Sequence, residues 1–224
     1  MTLSTKALLS VFVLALVIVA IIFPTAGTIH YWEAWTYVAI FFCSSLLTTV
    51  YLIKNDPDLL QRRMRGGPLA EKRAAQRVIM LLTSLAFLGL LVVPALDRRF
   101  GWSTVSTPIV LSGDLLVALG LYFIFRVYRE NTYTSATIEV AANQKVIDTG
   151  PYSRVRHPMY ASALLYLVGT PLALGSYWGL LPFIALIPFL MWRLTDEEKM
   201  LARDLEGYEQ YRQRVRYRLV PRIW

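Results

Sequence analysis

Two short clusters hold the residues best suited to chemistry. The first reads Gly150-Pro151-Tyr152-Ser153-Arg154-Val155-Arg156-His157-Pro158-Met159-Tyr160, and the second Arg193-Leu194-Thr195-Asp196-Glu197-Glu198. A purely structural reading accounts for part of each. Gly-Pro makes a turn, Pro158 fits a first helical turn where its missing N–H does no harm, and Arg154 and Arg156 serve as juxtamembrane anchors. Thr195 and Glu198 have capping-box spacing, and Arg193 and Glu197, four apart, share a helical face as a surface ion pair. What remains unexplained is an arginine, a carboxylate, a histidine and two tyrosines converging on one place. Beside an apolar cleft, such a set suits a polar cofactor and a lipid-like substrate.

Those clusters need elements to hold them, and the apolar runs supply them. The 224 residues are 56% hydrophobic, with a mean hydropathy of +0.47. Six segments are long and apolar enough to cross a bilayer core of roughly 30 Å: 7–23, 34–53, 78–96, 108–125, 159–175 and 177–192. The expected fold class is therefore all-α, a polytopic integral membrane protein with about six transmembrane helices. The chain reads as one membrane domain, 1–224: a four-helix scaffold over 1–126, and a loop, helical hairpin and C-terminal helix over 127–224. Cleavage of 7–23 as a signal peptide would leave five spans, so that segment is read as retained.

Between the helices lie basic segments. Asn55-Asp56-Pro57-Asp58 should break the second helix, and Gln61 to Arg77, with Gly66-Gly67-Pro68 in its middle, reads as two short interfacial helices around a turn. Val127 to His157 is the longest stretch outside the spans and the place to look for chemistry. The last two spans form a hairpin joined by Gly175 and Ser176, which brings the two clusters together at the membrane surface. Glycines and prolines in that hairpin (Gly169, Pro171, Gly175, Gly179, Pro182, Pro188) imply kinked helices around a cavity. From Arg193 to Arg218, Leu194, Leu201, Leu205, Tyr208, Tyr211 and Val215 recur at helical spacing, which predicts a C-terminal amphipathic helix on the cytoplasmic face.

The net charge of +8 needs no nucleic-acid partner. With both termini in the cytoplasm, all of the 23 Lys and Arg except Arg98 and Arg99 fall on the inner side, as the positive-inside rule requires. One cysteine, Cys43, and two histidines, His30 and His157, leave no disulfide and no expected metal or haem site. No Gly-x-Gly, Walker A, His-Glu-x-x-His or Gly-x-Ser-x-Gly motif occurs. Asp114 lies inside the fourth span and has two readings, functional acid or helix-packing acid. Trp32, Trp35, Trp102 and Trp178 fall near the outer boundaries, where aromatic anchoring explains them.

Taken together, Gly150-Pro151-Tyr152, Arg156-His157-Pro158-x-Tyr160, Arg193-x-x-x-Glu197-Glu198 and Tyr208-x-x-Tyr211 resemble the isoprenylcysteine carboxyl methyltransferase family. That family sits in a wider group of membrane methyltransferases which includes phospholipid N-methyltransferases. The likeness covers roughly 130–221. It departs in the tail, where Val215-Arg216-Tyr217-Arg218-Leu219-Val220-Pro221 lacks the proline that eukaryotic members place directly after the valine. The chain is short and basic, as in prokaryotic relatives, and the resemblance implies a prokaryotic cytoplasmic membrane with the active site inside.

The resemblance further implies S-adenosyl-L-methionine as methyl donor, leaving S-adenosyl-L-homocysteine, bound without a Rossmann fold. Gln144, Lys145, Val146, Ile147, Tyr152, His157, Pro158, Met159 and Tyr160 would line the cofactor pocket, Glu197 would hold a polar group of the cofactor, and Arg193 would face the acceptor. The acceptor would be lipophilic and enter from the bilayer. A carboxylate acceptor suits Arg193, since a guanidinium orients an anion in a bidentate way. Phospholipid amine methylation is the alternative within the enzyme class, and a transporter or non-catalytic membrane scaffold the alternative outside it.

Overall fold

The computed structural model describes residues 1–66, 74–137, 140 and 143–224, with the side chains of 74 and 75 excepted. The described residues are helical, with no strand among them. Helices α1 (Leu3–Ala26) and α2 (Trp32–Asn55) form an antiparallel pair, followed by the short α3 (Pro57–Met64). Then come α4 (Ala74–Phe100), α5 (Thr107–Glu130), α6 (Pro158–Ala173), α7 (Leu180–Asp204) and α8 (Tyr208–Arg214), with a 3-10 turn at Gly150–Ser153. Asp56 ends α2 and caps α3, accepting from the Leu59 N–H at 2.9 Å, with Pro57 in the first turn. The expected turn at Gly66-Gly67-Pro68 and most of the short helix after it lie outside the described residues.

Four helices are long and apolar enough to cross a membrane: Leu3–Ala26, Trp32–Asn55, Gln76–Phe100 and Thr107–Glu130. Only 17–28% of their most apolar windows is buried in the protein, so the remaining surface needs a lipid solvent. The six expected spans are therefore corrected to four. Helix α6, at 16 residues, rises about 24 Å, short of the roughly 30 Å hydrocarbon core. Helix α7 does not stop at Trp192 but carries Arg193, Asp196 and Glu197 within the same helix, which removes its C-terminal half from the apolar stretch. Both helices nevertheless run alongside the other four. At one end of the bundle the Tyr31 hydroxyl donates to the Leu174 carbonyl at 2.5 Å, and buried Asp97 accepts from the Ser103 and Ser176 hydroxyls at 2.5 Å each. Trp32, Trp35, Trp102 and Trp178 lie partly exposed at this same end.

The continuous C-terminal amphipathic helix is also corrected. Helix α7 ends at Asp204, Gly207 takes a φ of +81° that an L side chain rarely adopts, and only the short α8 follows before a non-helical tail.

Glycines set the packing that leaves room for a cavity. The most extensive contact in the bundle is between α5 and α6, while α7 lies mainly on α4. At the α5–α6 crossing a Cβ on Gly113 would stand 2.3 Å from the Ala173 nitrogen, and one on Gly120 2.6 Å from the Tyr166 nitrogen. The backbones meet so closely that no side chain fits between them. Because α6 and α7 each take a different partner, they splay apart at the end where the two sequence clusters lie. The core beneath is apolar and aromatic, with Ile22, Tyr37, Leu90 and Leu186 fully buried and the Tyr37 and Tyr166 hydroxyls 3.0 Å apart. Asp114 is buried in α5, and its Oδ1 finds no hydrogen-bond partner among the described residues.

Candidate active site

Between the splayed ends of α6 and α7 lies a cavity of about 440 Å³, closed over by α8 and by the segment joining α5 to α6. Gln144, Lys145, Val146, Ile147, Tyr152, His157, Pro158, Met159, Tyr160, Arg193 and Glu197 all line it. The structure thus brings to one cavity every residue that the resemblance assigns to the cofactor or the acceptor, while Glu198 and Arg154 lie outside it. Phe87, Leu167 and Leu190 continue the wall toward the apolar core, so the cavity has a polar mouth and an apolar floor.

Several of the polar groups are held by specific partners. Arg193 is buried, donating from Nη1 to the Gln76 side-chain oxygen at 3.0 Å and from Nη2 to the Ala136 carbonyl at 3.1 Å. Gln76, fully buried on α4, in turn donates to Asp196 at 2.5 Å. The surface ion pair expected for Arg193 is therefore replaced by a buried clamp, since α4 and the 131–137 segment cover this face of α7. Glu197 accepts from the Tyr160 hydroxyl at 2.6 Å, and among the described residues it is the one carboxylate lining the cavity. Asn131 donates to the Tyr152 hydroxyl at 3.0 Å, and the Tyr211 hydroxyl donates to the Tyr152 carbonyl at 2.8 Å, which seats α8 as a lid. Burial pushes the phenols of Tyr152, Tyr208 and Tyr211 above their usual range. They remain neutral donors near neutral pH.

Behind the wall sits a feature that spacing along the chain does not reveal. Glu198 does not cap a helix. It is buried and accepts from Arg156 Nε at 2.6 Å and Arg218 Nε at 2.9 Å, with His157 Nε2 at 3.4 Å from the same carboxylate. Arg156 also donates to the Val215 and Arg216 carbonyls, at 2.9 and 2.8 Å. The N–H groups of Arg156 and His157 bond the carbonyls of Tyr217 and Arg218. Burial would raise the Glu198 pKa, but His157, Arg156 and Arg218 beside it outweigh that and hold it down at about 2. One carboxylate so ties the start of α6, the middle of α7 and the tail together. Glu197 and Glu198 are neighbours in sequence, and the helical twist of roughly 100° per residue sends one into the cavity and the other behind it.

Two buried facts bear on what the cavity can hold. The Tyr208 hydroxyl on its wall has no hydrogen-bond partner among the described residues. The lining also mixes cations (Arg63, Lys145, Arg156, Arg193), one carboxylate and several aromatics. A ligand carrying an amine, a carboxylate and a stacking ring would find a partner for each part.

Comparison with known proteins agrees in kind. Residues 108–206 match the phospholipid methyltransferase family. A protein-S-isoprenylcysteine O-methyltransferase of Schizosaccharomyces pombe is 36% identical over 72 residues. That match covers 31% of this chain and 30% of the yeast protein's length. Both matches support the resemblance that the paired motifs carry.

Proposed function

From a C-terminal half that resembles the isoprenylcysteine and phospholipid methyltransferases, we propose that this chain is a membrane methyltransferase that uses S-adenosyl-L-methionine and methylates an amphipathic acceptor. The observation that carries the reading is the single cavity that collects both clusters, polar at its mouth and apolar at its floor. The cofactor, when bound, supplies an already activated methyl group. The protein has then to orient, exclude water and place charge. Glu197 would take a cationic or hydroxyl part of the cofactor through the carboxylate oxygen that Tyr160 leaves free. The Tyr208 hydroxyl would donate to it, and α8 would close over it. Arg193, held by Gln76 and Ala136 on the cavity wall, would face the acceptor.

For the acceptor we favour a carboxylate. Among the described residues Arg63, Lys145 and Arg193 line the cavity together with Arg156, which Glu198 pairs from behind, and the described carboxylate there, Glu197, is engaged by Tyr160. An amine nucleophile would instead need a free base to take its proton. Phospholipid amine methylation remains the second reading, because the matched family is that of phospholipid methyltransferases. The acceptor would enter from the bilayer, past the apolar floor. On the charge distribution, the cavity, both termini and the basic segments would face the cytoplasm.

Calorimetry of S-adenosyl-L-homocysteine against the detergent-purified chain tests the cofactor. Micromolar binding is expected, abolished in Glu197→Ala and His157→Ala proteins that still melt cooperatively. Unimpaired binding in both variants would overturn the site assignment. Labelled methyl transfer to a prenylated cysteine and to phosphatidylethanolamine separates the two acceptors.

A further inference from the structure

A second groove of about 540 Å³ lies on the other side of the Val155–Pro158 segment. Pro158 is part of both walls, so the groove stands back to back with the cavity. Its floor is apolar: Phe123 and Val127 from α5, Leu165 from α6 and Leu219 from the tail. Two arginines, Arg126 and Arg154, line it, and among the described residues no acidic one does. Both are exposed, and neither forms an ion pair with any described residue. The Arg126 guanidinium has only the Tyr122 hydroxyl of its own helix, at 3.4 Å. Glu130, four residues after Arg126 on α5, packs against Gly150, where the Thr149 hydroxyl donates to it. Two cations without an ion pair to a described residue, set over an apolar floor, suit an anion with a hydrocarbon tail. The floor also runs into the outward face of α5, where Phe123 is 42% exposed at the end of a candidate span.

We propose that this groove binds an anionic phospholipid, its phosphate between Arg126 and Arg154 and an acyl chain along Phe123 and Leu165. The site is independent of the methyl-transfer reading, since neither arginine lines the cavity. It differs from general headgroup attraction, which would act on any arginine at this end of the bundle. Arg129 and Arg216 supply the comparison, being equally exposed and outside the groove.

The test is native mass spectrometry of the full chain in detergent, titrated with equal amounts of phosphatidylglycerol and phosphatidylcholine of the same acyl chains. The intact protein should retain phosphatidylglycerol selectively. The Arg126→Gln/Arg154→Gln variant should bind it about 30-fold more weakly, at roughly a factor of five per arginine near a lipid surface. The charge-matched Arg129→Gln/Arg216→Gln variant should stay within roughly 3-fold of the intact protein, because neither side chain lines the groove and exposed charges that make no contact with the lipid contribute little. Absence of lipid selectivity in the intact protein would overturn the proposal without any variant. So would equal weakening in both variants, or displacement of the lipid by inorganic phosphate alone, which would make the groove a soluble-anion site.

Discussion

Glu197 and Glu198 show how adjacent residues of one type take opposite duties. Glu198 is a buried structural anion, so Glu198→Ala leaves Arg156 inside the protein without its carboxylate. A loss of about 3 kcal/mol is expected in the unfolding free energy, the low end for a broken buried pair, because Arg156 keeps two backbone carbonyls. The pH dependence has a definite sign. The folded pKa of about 2 lies below the ordinary 4.5, so Glu198 stabilises the fold above about pH 4.5 and loses that contribution as the pH falls toward 2. Melting temperatures taken across that window should fall less steeply in Glu198→Gln than in the unaltered protein, and parallel curves would contradict the assignment. Arg193 belongs to the other class. If it faces the acceptor, Arg193→Ala should lower kcat by about 100-fold, as for loss of one donor to a developing charge, while affinity for S-adenosyl-L-homocysteine stays within roughly 3-fold. The reverse ranking would assign Arg193 to the cofactor. Single-turnover kinetics beside calorimetry separates the two.

Between elements, the decisive contact is the glycine crossing of α5 and α6. Gly113→Ala drives a methyl group into the Ala173 backbone, and a backbone cannot swing aside as a flexible side chain can. A destabilisation of roughly 1–3 kcal/mol is expected, typical of overpacking. Ser112→Ala, one residue earlier on the exposed face, should stay within about 0.5 kcal/mol. Thermal unfolding of both in one detergent checks this, and equal melting points would show that the crossing tolerates separation. The sequence placed these helices differently, joining the last two segments in a hairpin of their own. That reading followed the short Gly175-Ser176 connection. It missed that Gly113, Gly120 and Gly169 make α5 the better partner for α6, a pairing between segments about 50 residues apart that no local pattern displays. The break at Leu205–Gly207 was missed for the opposite reason. Tyr208 and Tyr211 keep helical spacing with Leu201 and Leu205, and periodicity cannot see a single left-handed residue in between.

Taken whole, the molecule has one polar, basic end and one aromatic end, and the two were legible to different degrees. Tyr152, His157 to Tyr160, Arg193 and Glu197 could be singled out from sequence because they lie in two compact clusters, whereas Gln144 to Ile147 came only through the family resemblance. Their supports could not: Gln76 is 117 residues from Arg193, Arg156 is 42 from Glu198 and Arg218 is 20 from it. The span count erred because an apolar run and a helix are different objects, and α7 continues through Arg193 where its apolar run ends. The sidedness of the whole rests on charge alone. Arg98 and Arg99 share the end that holds Trp102 and Trp178, and the cavity with its basic lining lies at the other. If the positive-inside distribution governs insertion, the aromatic end must be outside. Cys43 is the chain's one cysteine, and a Cys43→Ser background admits single probes at either end. Trp102→Cys, at an exposed position, should react with a membrane-impermeant maleimide in right-side-out vesicles, and Arg216→Cys only in inverted ones. The opposite labelling pattern would put the cavity outside, away from the cytoplasmic pool of S-adenosyl-L-methionine, and the proposed reaction would lose its methyl donor even if every residue of the site were correctly assigned.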